Sequence, residues 1–250
     1  MLPTPDTTHV PYSRVYEPAE DSFLLLDTLS SPSEISFLSS HFPPSSSPPL
    51  LTLEIGPGSG VVLAFLTAHS AAIFSSPVLT LGIDINRFAC KSTTKTVHLA
   101  TTTTKTTSGA GHFLAAIQGD LHAPLRNNRV DVLVFNPPYV PTEEMPCLPE
   151  ISQDKTTFEQ DSALLALSYA GGKDGMETTN KVIDSLPDLL SERGVAYILL
   201  CAGNKPDEVK RKIRDGLGGV GGGVWSAETV GTSGKQAGWE KLQIVRIWRE

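Results

Sequence analysis

The chain has 250 residues and a formal charge of −7, with only three cysteines, Cys90, Cys147 and Cys201. That length suits one large α/β domain over residues 1–250, able to bury a core without staples. Three cysteines so far apart, and odd in number, point to neither a disulfide framework nor a metal site. The acidic balance, with no dense Lys/Arg cluster, removes the usual phosphate-neutralising basis for nucleic-acid binding, so a protein partner fits at least as well.

Met1–Val10 has no basic region leading into an apolar run, and no apolar stretch approaches a membrane span, so cytosol, with the nucleus as a second option, is the expected compartment. Residues 1–12 are Pro/Thr-rich and are expected to be mobile. From Tyr16 to Leu29, Pro18 and the acidic residues suit a first helical turn and the leucines supply an apolar face. Residues 39–49, SSHFPPSSSPP, read as a low-complexity loop. A buried strand is expected over 50–55, ending at Gly56, and a helix over 61–69. A second strand over 78–85 leads to a helix from Arg87 to about Ala100. The polar stretch 101–111 begins with a Thr-rich tract and reads as a surface loop.

A third strand is expected over 115–119, ending at Asp120, and a fourth over 130–135. Residues 141–160 read as irregular and acidic. A helix over 177–190 precedes a strand over 195–201, and 205–215 is a charged helix. The glycine-rich run 216–223 is a turn before two closing strands, 224–230 and 242–248. Strands alternating with helices give a mostly parallel sheet covered on both faces. The last two strands have no crossover helix between them, so that pair is expected to be antiparallel.

Two regions carry the chemistry. Glu54-Ile55-Gly56-Pro57-Gly58-Ser59-Gly60 follows a strand and opens a helix, where a glycine turn lets a ligand approach the backbone. Asp84 closes the second strand, where a carboxylate can accept from ribose hydroxyls, and Asp120 closes the third, within reach of an adenine edge. All three lie on the carboxyl edge of adjacent strands, the place for a nucleoside cofactor. A diphosphate cofactor would gain from helix amides at the first strand end, not from the carboxylate of Glu54.

The second region is Asn136-Pro137-Pro138-Tyr139, at the end of the fourth strand. Two prolines stiffen the turn, Asn136 offers an amide oxygen beside a backbone carbonyl, and Tyr139 offers an aromatic face. Those parts suit a planar NH₂ group, whose lone pair is freed when both hydrogens are held by acceptors. The acceptor is then either a side-chain amide or the exocyclic amine of adenine. Protein lysine fits less well, since an ammonium first needs a base, and a non-catalytic cofactor-binding scaffold is a further class. An adenine reader would need to flip its base and hold phosphates nearby, and no recognition domain or basic stretch is visible.

Tyr16-Glu17-Pro18-Ala19-Glu20-Asp21-Ser22, the 54–60 turn, Asp84-Ile85-Asn86 and Asn136–Tyr139 together resemble the HemK family of protein-glutamine methyltransferases, in its eukaryotic cytosolic branch. The resemblance runs from about Tyr12 to the C-terminus, including Ala170–Gly175 and Leu189–Gly194, with Ser22 where a threonine is common. It implies a Rossmann-like class I fold with a seven-stranded, mostly parallel sheet and an antiparallel last strand. It implies S-adenosylmethionine as cofactor, held around Ser22, Glu54, Gly56, Gly58, Gly60, Asp84, Asp120 and Leu121. It implies N5-methylation of the glutamine in the Gly-Gly-Gln loop of the class-1 translation termination factor, with Asn136, Pro137, Pro138 and Tyr139 binding the amide. It also implies a heterodimer with a small zinc-binding activator subunit, for which an exposed third-strand edge is the expected docking place.

Overall fold

The computed structural model describes residues 2–43, 48–103, 109–151, 156–217, 223–234 and 241–250. The elements in chain order are α1 (Glu20–Leu29), α2 (Pro32–His41), β1 (Leu51–Ile55), α3 (Val61–Ala68), α4 (Ser70–Phe74), β2 (Leu79–Asp84), α5 (Arg87–Thr103), β3 (His112–Gln118), β4 (Val130–Phe135), α6 (Phe158–Tyr169), α7 (Glu177–Leu189), β5 (Leu190–Cys201), α8 (Pro206–Gly216), β6 (Trp225–Thr232) and β7 (Leu242–Arg249). The strands form a seven-stranded sheet in the order β3-β2-β1-β4-β5-β7-β6. Neighbours are parallel from β3 through β5, and β7 runs antiparallel to both β5 and β6. Among the described residues no helix is long and apolar enough to cross a membrane.

The sheet is buried on both faces, which is why its central strands read as continuous apolar runs rather than alternating ones. Successive β5 residues feed opposite layers. Val195, Tyr197 and Leu199 meet Leu25 of α1, Leu38 of α2 and Phe65 of α3. Ala196, Ile198 and Leu200 meet Val182 and Leu186 of α7 and Ile213 of α8. Period-two side-chain alternation thus divides one strand between two cores.

Several expectations are corrected. Residues 2–12 are docked rather than mobile: Val10 and Val15 are 5% and 2% exposed and pack with Phe88, Ala89 and Leu164. The 39–49 loop begins inside α2, a helix started by Pro32 at its first turn and by Ser31, whose hydroxyl accepts from the Glu34 amide at 3.3 Å. Leu38 and the following Phe42 are fully buried, so the serine-rich composition conceals an amphipathic segment; residues 44–47 of that loop lie outside the described residues. The 101–111 loop loses its first three residues to the end of α5 and leads directly into β3, which starts at His112, while 104–108 lie outside the described residues.

The stretch 141–160 also ends in a helix. Thr157 and Gln160 form a reciprocal capping box, with the Thr157 amide donating to Gln160 Oε1 at 2.9 Å and the Gln160 amide to Thr157 Oγ1 at 3.3 Å. Finally, β5 starts at Leu190, directly on the end of α7, and not at Val195. Its polar start is held by buried Asp131, whose Oδ1 accepts from Ser191 Oγ at 2.8 Å and Arg193 Nε at 2.9 Å.

Candidate active site

β1 has β2 on one side and β4 on the other, so the connections leave in opposite directions at its carboxyl end. A crevice opens at such a switch point. Here it is a cleft of about 330 Å³, floored by the ends of β1, β2 and β4.

The predicted cofactor residues Ser22, Glu54, Gly56, Gly58, Asp84, Asp120 and Leu121 all line it. Asp84 is 8% exposed. Its Oδ2 accepts from the Gly58 amide at 3.1 Å and its Oδ1 from the Asn86 amide at 2.8 Å. Burial pushes its carboxyl up to about 6, against those two amides, which favour the charge. Asp84 therefore fixes the glycine turn while keeping lone pairs for a ligand. Leu121 has φ of +49°, a left-handed conformation that turns the chain back beneath the cleft after Asp120.

Gly60 does not line the cleft. It has φ of +82°, and a Cβ there would lie 2.5 Å from Thr93 Cα, so its bareness lets α3 start hard against α5. Its place is in packing behind the turn.

Glu54 is the unusual group. It is 2% exposed, and its Oε2 has no hydrogen-bond partner. Burial, more than the nearby Asp84 charge, pushes its carboxyl up to about 8, with only the Leu63 amide opposing. An orphaned acidic oxygen beside a glycine turn fits a ligand that carries an ammonium group, and a carboxylate at the end of β2 fits a ribose. S-adenosylmethionine has both.

At the other end of the cleft, Asn136 and Pro138 are lining residues, while Pro137 is buried behind them. Tyr139 is half-buried and packs on the α1 side of the core, outside the lining. The turn is backed by Ala170–Gly175. Val140 donates to the Tyr169 carbonyl at 2.9 Å, and Gly171 donates to the Val140 carbonyl at 2.8 Å. A Cβ on Gly171 would collide with the Pro138 carbonyl, and one on Gly175 with the Tyr139 carbonyl, so these glycines permit backbone-to-backbone packing. Buried Asn204 finishes the clamp, donating from Nδ2 to the carbonyls of Tyr139 and Asp174 at 3.3 and 3.0 Å.

Asn136 donates from Nδ2 to Asp21 Oδ2 at 3.0 Å. Its Oδ1 is buried and has no partner. The same Asp21 oxygen accepts from Tyr16 Oη at 3.1 Å. Neither Asp21 nor Tyr16 stood out as a site residue in the sequence. Also missed are Leu164, Leu167 and Ser168 of α6, which wall the cleft together with Met145 and Pro146, and Thr178 and Lys181 of α7. The capping-box spacing Thr157–Gln160 was the available signal for α6.

No family model matches the chain. Curated relatives match it over nearly its whole length. The eRF1 methyltransferase catalytic subunit mtq2 of Schizosaccharomyces pombe is 33% identical, covering 100% of this chain and 96% of that protein. The chain belongs to this HemK-type methyltransferase family. Methyltransferase HEMK2 of Homo sapiens is 32% identical over 94% of this chain and 90% of its own length. A putative protein N5-glutamine methyltransferase of Methanocaldococcus jannaschii is 26% identical over 95% and 93%. As a member of the family the chain is a methyltransferase that uses S-adenosylmethionine, in agreement with the cleft.

Proposed function

We propose that this methyltransferase modifies N5 of a glutamine side chain in a protein, and that the acceptor lies in the Gly-Gly-Gln loop of the translation termination factor. The observation that carries the reading is the buried, partnerless Oδ1 of Asn136 at the cleft. A buried acceptor without a partner is costly in an isolated protein. A primary amide with two N–H donors satisfies it. The relative named as an eRF1 methyltransferase supports the choice of acceptor protein.

When bound, S-adenosylmethionine supplies a methyl group on a positively charged sulfur that leaves as a neutral thioether. Ser22, Glu54, Gly56, Gly58, Asp84, Asp120 and Leu121 would hold it, with Asp84 available to its ribose and Glu54 to its amino group. Asn136 Oδ1 takes one amide hydrogen, and a carbonyl of the proline turn takes the other. Holding both hydrogens out of the amide plane favours a pyramidal nitrogen, whose lone pair then points toward the methyl. As nitrogen gains charge its protons become more acidic, and the same acceptors bind them more strongly, which is where the rate gain arises. Leu164, Leu167 and Met145 give the cleft an apolar wall that would keep water from the methyl. The methylated nitrogen, now carrying the charge the sulfur lost, gives up one proton to solvent, and the product is the neutral N5-methyl amide.

The partner is a small activator subunit that adds to the free edge of β3. Among the described residues β3 ends the sheet, and its Leu114 is 53% exposed, with Leu99 of the neighbouring α5 38% exposed. An unpaired edge flanked by exposed leucines favours strand addition. The test is methylation of purified termination factor with labelled cofactor, with and without the activator, and mapping of the methyl by mass spectrometry. Label on the Gly-Gly-Gln glutamine is expected; label on a lysine of the factor instead, or an unlabelled factor beside a labelled nucleic acid offered in a parallel reaction, would overturn the acceptor assignment. Leu114→Lys should weaken activator binding at least about tenfold, since a charge would be buried at the contact; unchanged binding would move the activator elsewhere.

A further inference from the structure

An asparagine side chain is nearly symmetric in shape, yet only one of its two ends can accept a hydrogen from the substrate. Something must decide which end faces the cleft. A carboxylate only accepts hydrogen bonds, so a carboxylate beside an amide forces the NH₂ group toward itself and the oxygen away. Asp21 stands in that position. It is 3% exposed, in the first turn of α1, and its Oδ2 is 3.0 Å from Asn136 Nδ2.

Every contact of Asp21 fits that task. Oδ2 takes the Asn136 N–H and the Tyr16 hydroxyl at 3.1 Å. Oδ1 takes the Ser22 amide at 2.6 Å and the Ser22 hydroxyl at 3.2 Å. Four donors surround one carboxylate and leave it no freedom to turn. The Tyr16 phenol is raised well above its ordinary value, first by burial and then by the Asp21 charge, so it remains a donor to the carboxylate. A donor bond to a charged acceptor also draws electron density toward Asn136 Oδ1 and strengthens it as an acceptor.

We infer that Asp21 is the positioning residue for Asn136: through the Asn136 Nδ2 bond it sets which end of the amide meets the substrate nitrogen. Asp21 touches neither acceptor nor cofactor in this role. It acts through Asn136, and its neighbour Ser22 lines the cofactor end of the cleft. The inference rests on the glutamine reading above.

The experiment compares wild type, Asp21→Ala, Asp21→Asn, Asn136→Asp and the Asp21→Ala/Asn136→Asp double variant in the activator-bound enzyme. Steady-state kinetics are read beside cofactor affinity by calorimetry. Asp21→Ala should lower kcat about 100-fold or more, as loss of one preorganised donor–acceptor contact does, with cofactor affinity within about threefold. Asp21→Asn can still turn an oxygen toward Asn136, so it should recover to within about tenfold of wild type. A carboxylate at 136 has an acceptor on both sides and needs no orienting, while Asp21 would repel it. Asp21→Ala should therefore raise kcat in the Asn136→Asp background, although it lowers kcat in wild type.

That reversal of sign separates positioning from mere support of the fold, which would lower activity in both backgrounds. Equal losses for Asp21→Ala and Asp21→Asn, or a loss in both backgrounds, would overturn the inference. So would a wild-type kcat in Asp21→Ala. If Asp21→Ala does not fold, Asp21→Ser takes its place in the same cycle, with the same reversal expected. A wild-type enzyme that leaves glutamine unmodified refutes the acceptor assignment instead, and the cycle is then run on the acceptor that it does methylate.

Discussion

Replacing Glu54 by glutamine should make the cofactor-free protein more stable at alkaline pH while weakening cofactor binding. The carboxyl is 2% exposed at the end of β1, and burial raises it from 4.5 to about 8. The folded state therefore holds its proton more tightly than the unfolded chain. Stability from this group falls as pH rises through 4.5 toward 8 and is level above that. At about 1.4 kcal/mol per pH unit, the charged form costs the empty fold up to roughly 5 kcal/mol. Glutamine carries no charge at any pH, but one buried amide end lacks a partner, at about 1–3 kcal/mol. Glu54→Gln should thus gain about 2–4 kcal/mol on wild type at pH 9 and show no gain at pH 5. Urea unfolding of both proteins at the two values reads this directly. In the same variant the ammonium of the cofactor loses its counter-charge, so affinity should drop at least about tenfold at pH 8. Parallel stability profiles for the two proteins would refute the account of Glu54 as a site residue held at a cost to the fold.

Three other substitutions probe separate parts of the site and its support. Asp84→Ala should weaken cofactor binding about 100-fold or more by calorimetry, because it removes the ribose acceptor and frees the Gly58 and Asn86 amides; unchanged affinity would displace the ribose assignment. Gly60→Ala meets Thr93 Cα at 2.5 Å in a left-handed conformation and should lose about 1–3 kcal/mol of stability in denaturant titration. Arg246→Met leaves Glu34 buried without its 2.9 Å ion pair, which ties α2 to β7, and should cost about 3–5 kcal/mol; a loss under 1 kcal/mol would show that Tyr197, donating to Glu34 at 2.8 Å, suffices.

The elements that were legible in the sequence share a cause. β1 and β4 lie under both layers, so most of their positions are apolar, with Thr52 and Glu54 of β1 and Asp131 of β4 as the buried polar exceptions. Their ends are marked by Gly56 and Asn136, and the site residues at those ends could be named from sheet logic alone. What stayed hidden depends on contacts between distant parts of the chain. The polar start of β5 is a strand because Asp131 holds Ser191 and Arg193. α2 is a helix with few apolar residues, and buried Leu38 together with the Glu34–Arg246 ion pair fixes it to the sheet. The Asp21–Asn136 bond spans 115 positions, and nothing local to either residue announces it.

That long-range bond explains why a sheet with its cofactor ends complete still needs α1. The first turn of α1 carries two adjacent residues with different destinations. Ser22 lines the cofactor cleft, and Asp21 holds the amide that meets the acceptor. The Ser22 hydroxyl and amide both donate to Asp21, so one peptide unit links the two halves of the reaction. α1 in turn is seated by Leu25 and Leu29, fully buried against the sheet, and by the bare Gly231 of β6, which admits Thr28. A shift of α1 therefore moves the Asn136 oxygen relative to the methyl group, while Glu54, Asp84 and the glycine turn stay on the sheet. Perturbing the seat of α1 should cost methyl transfer before it costs cofactor affinity.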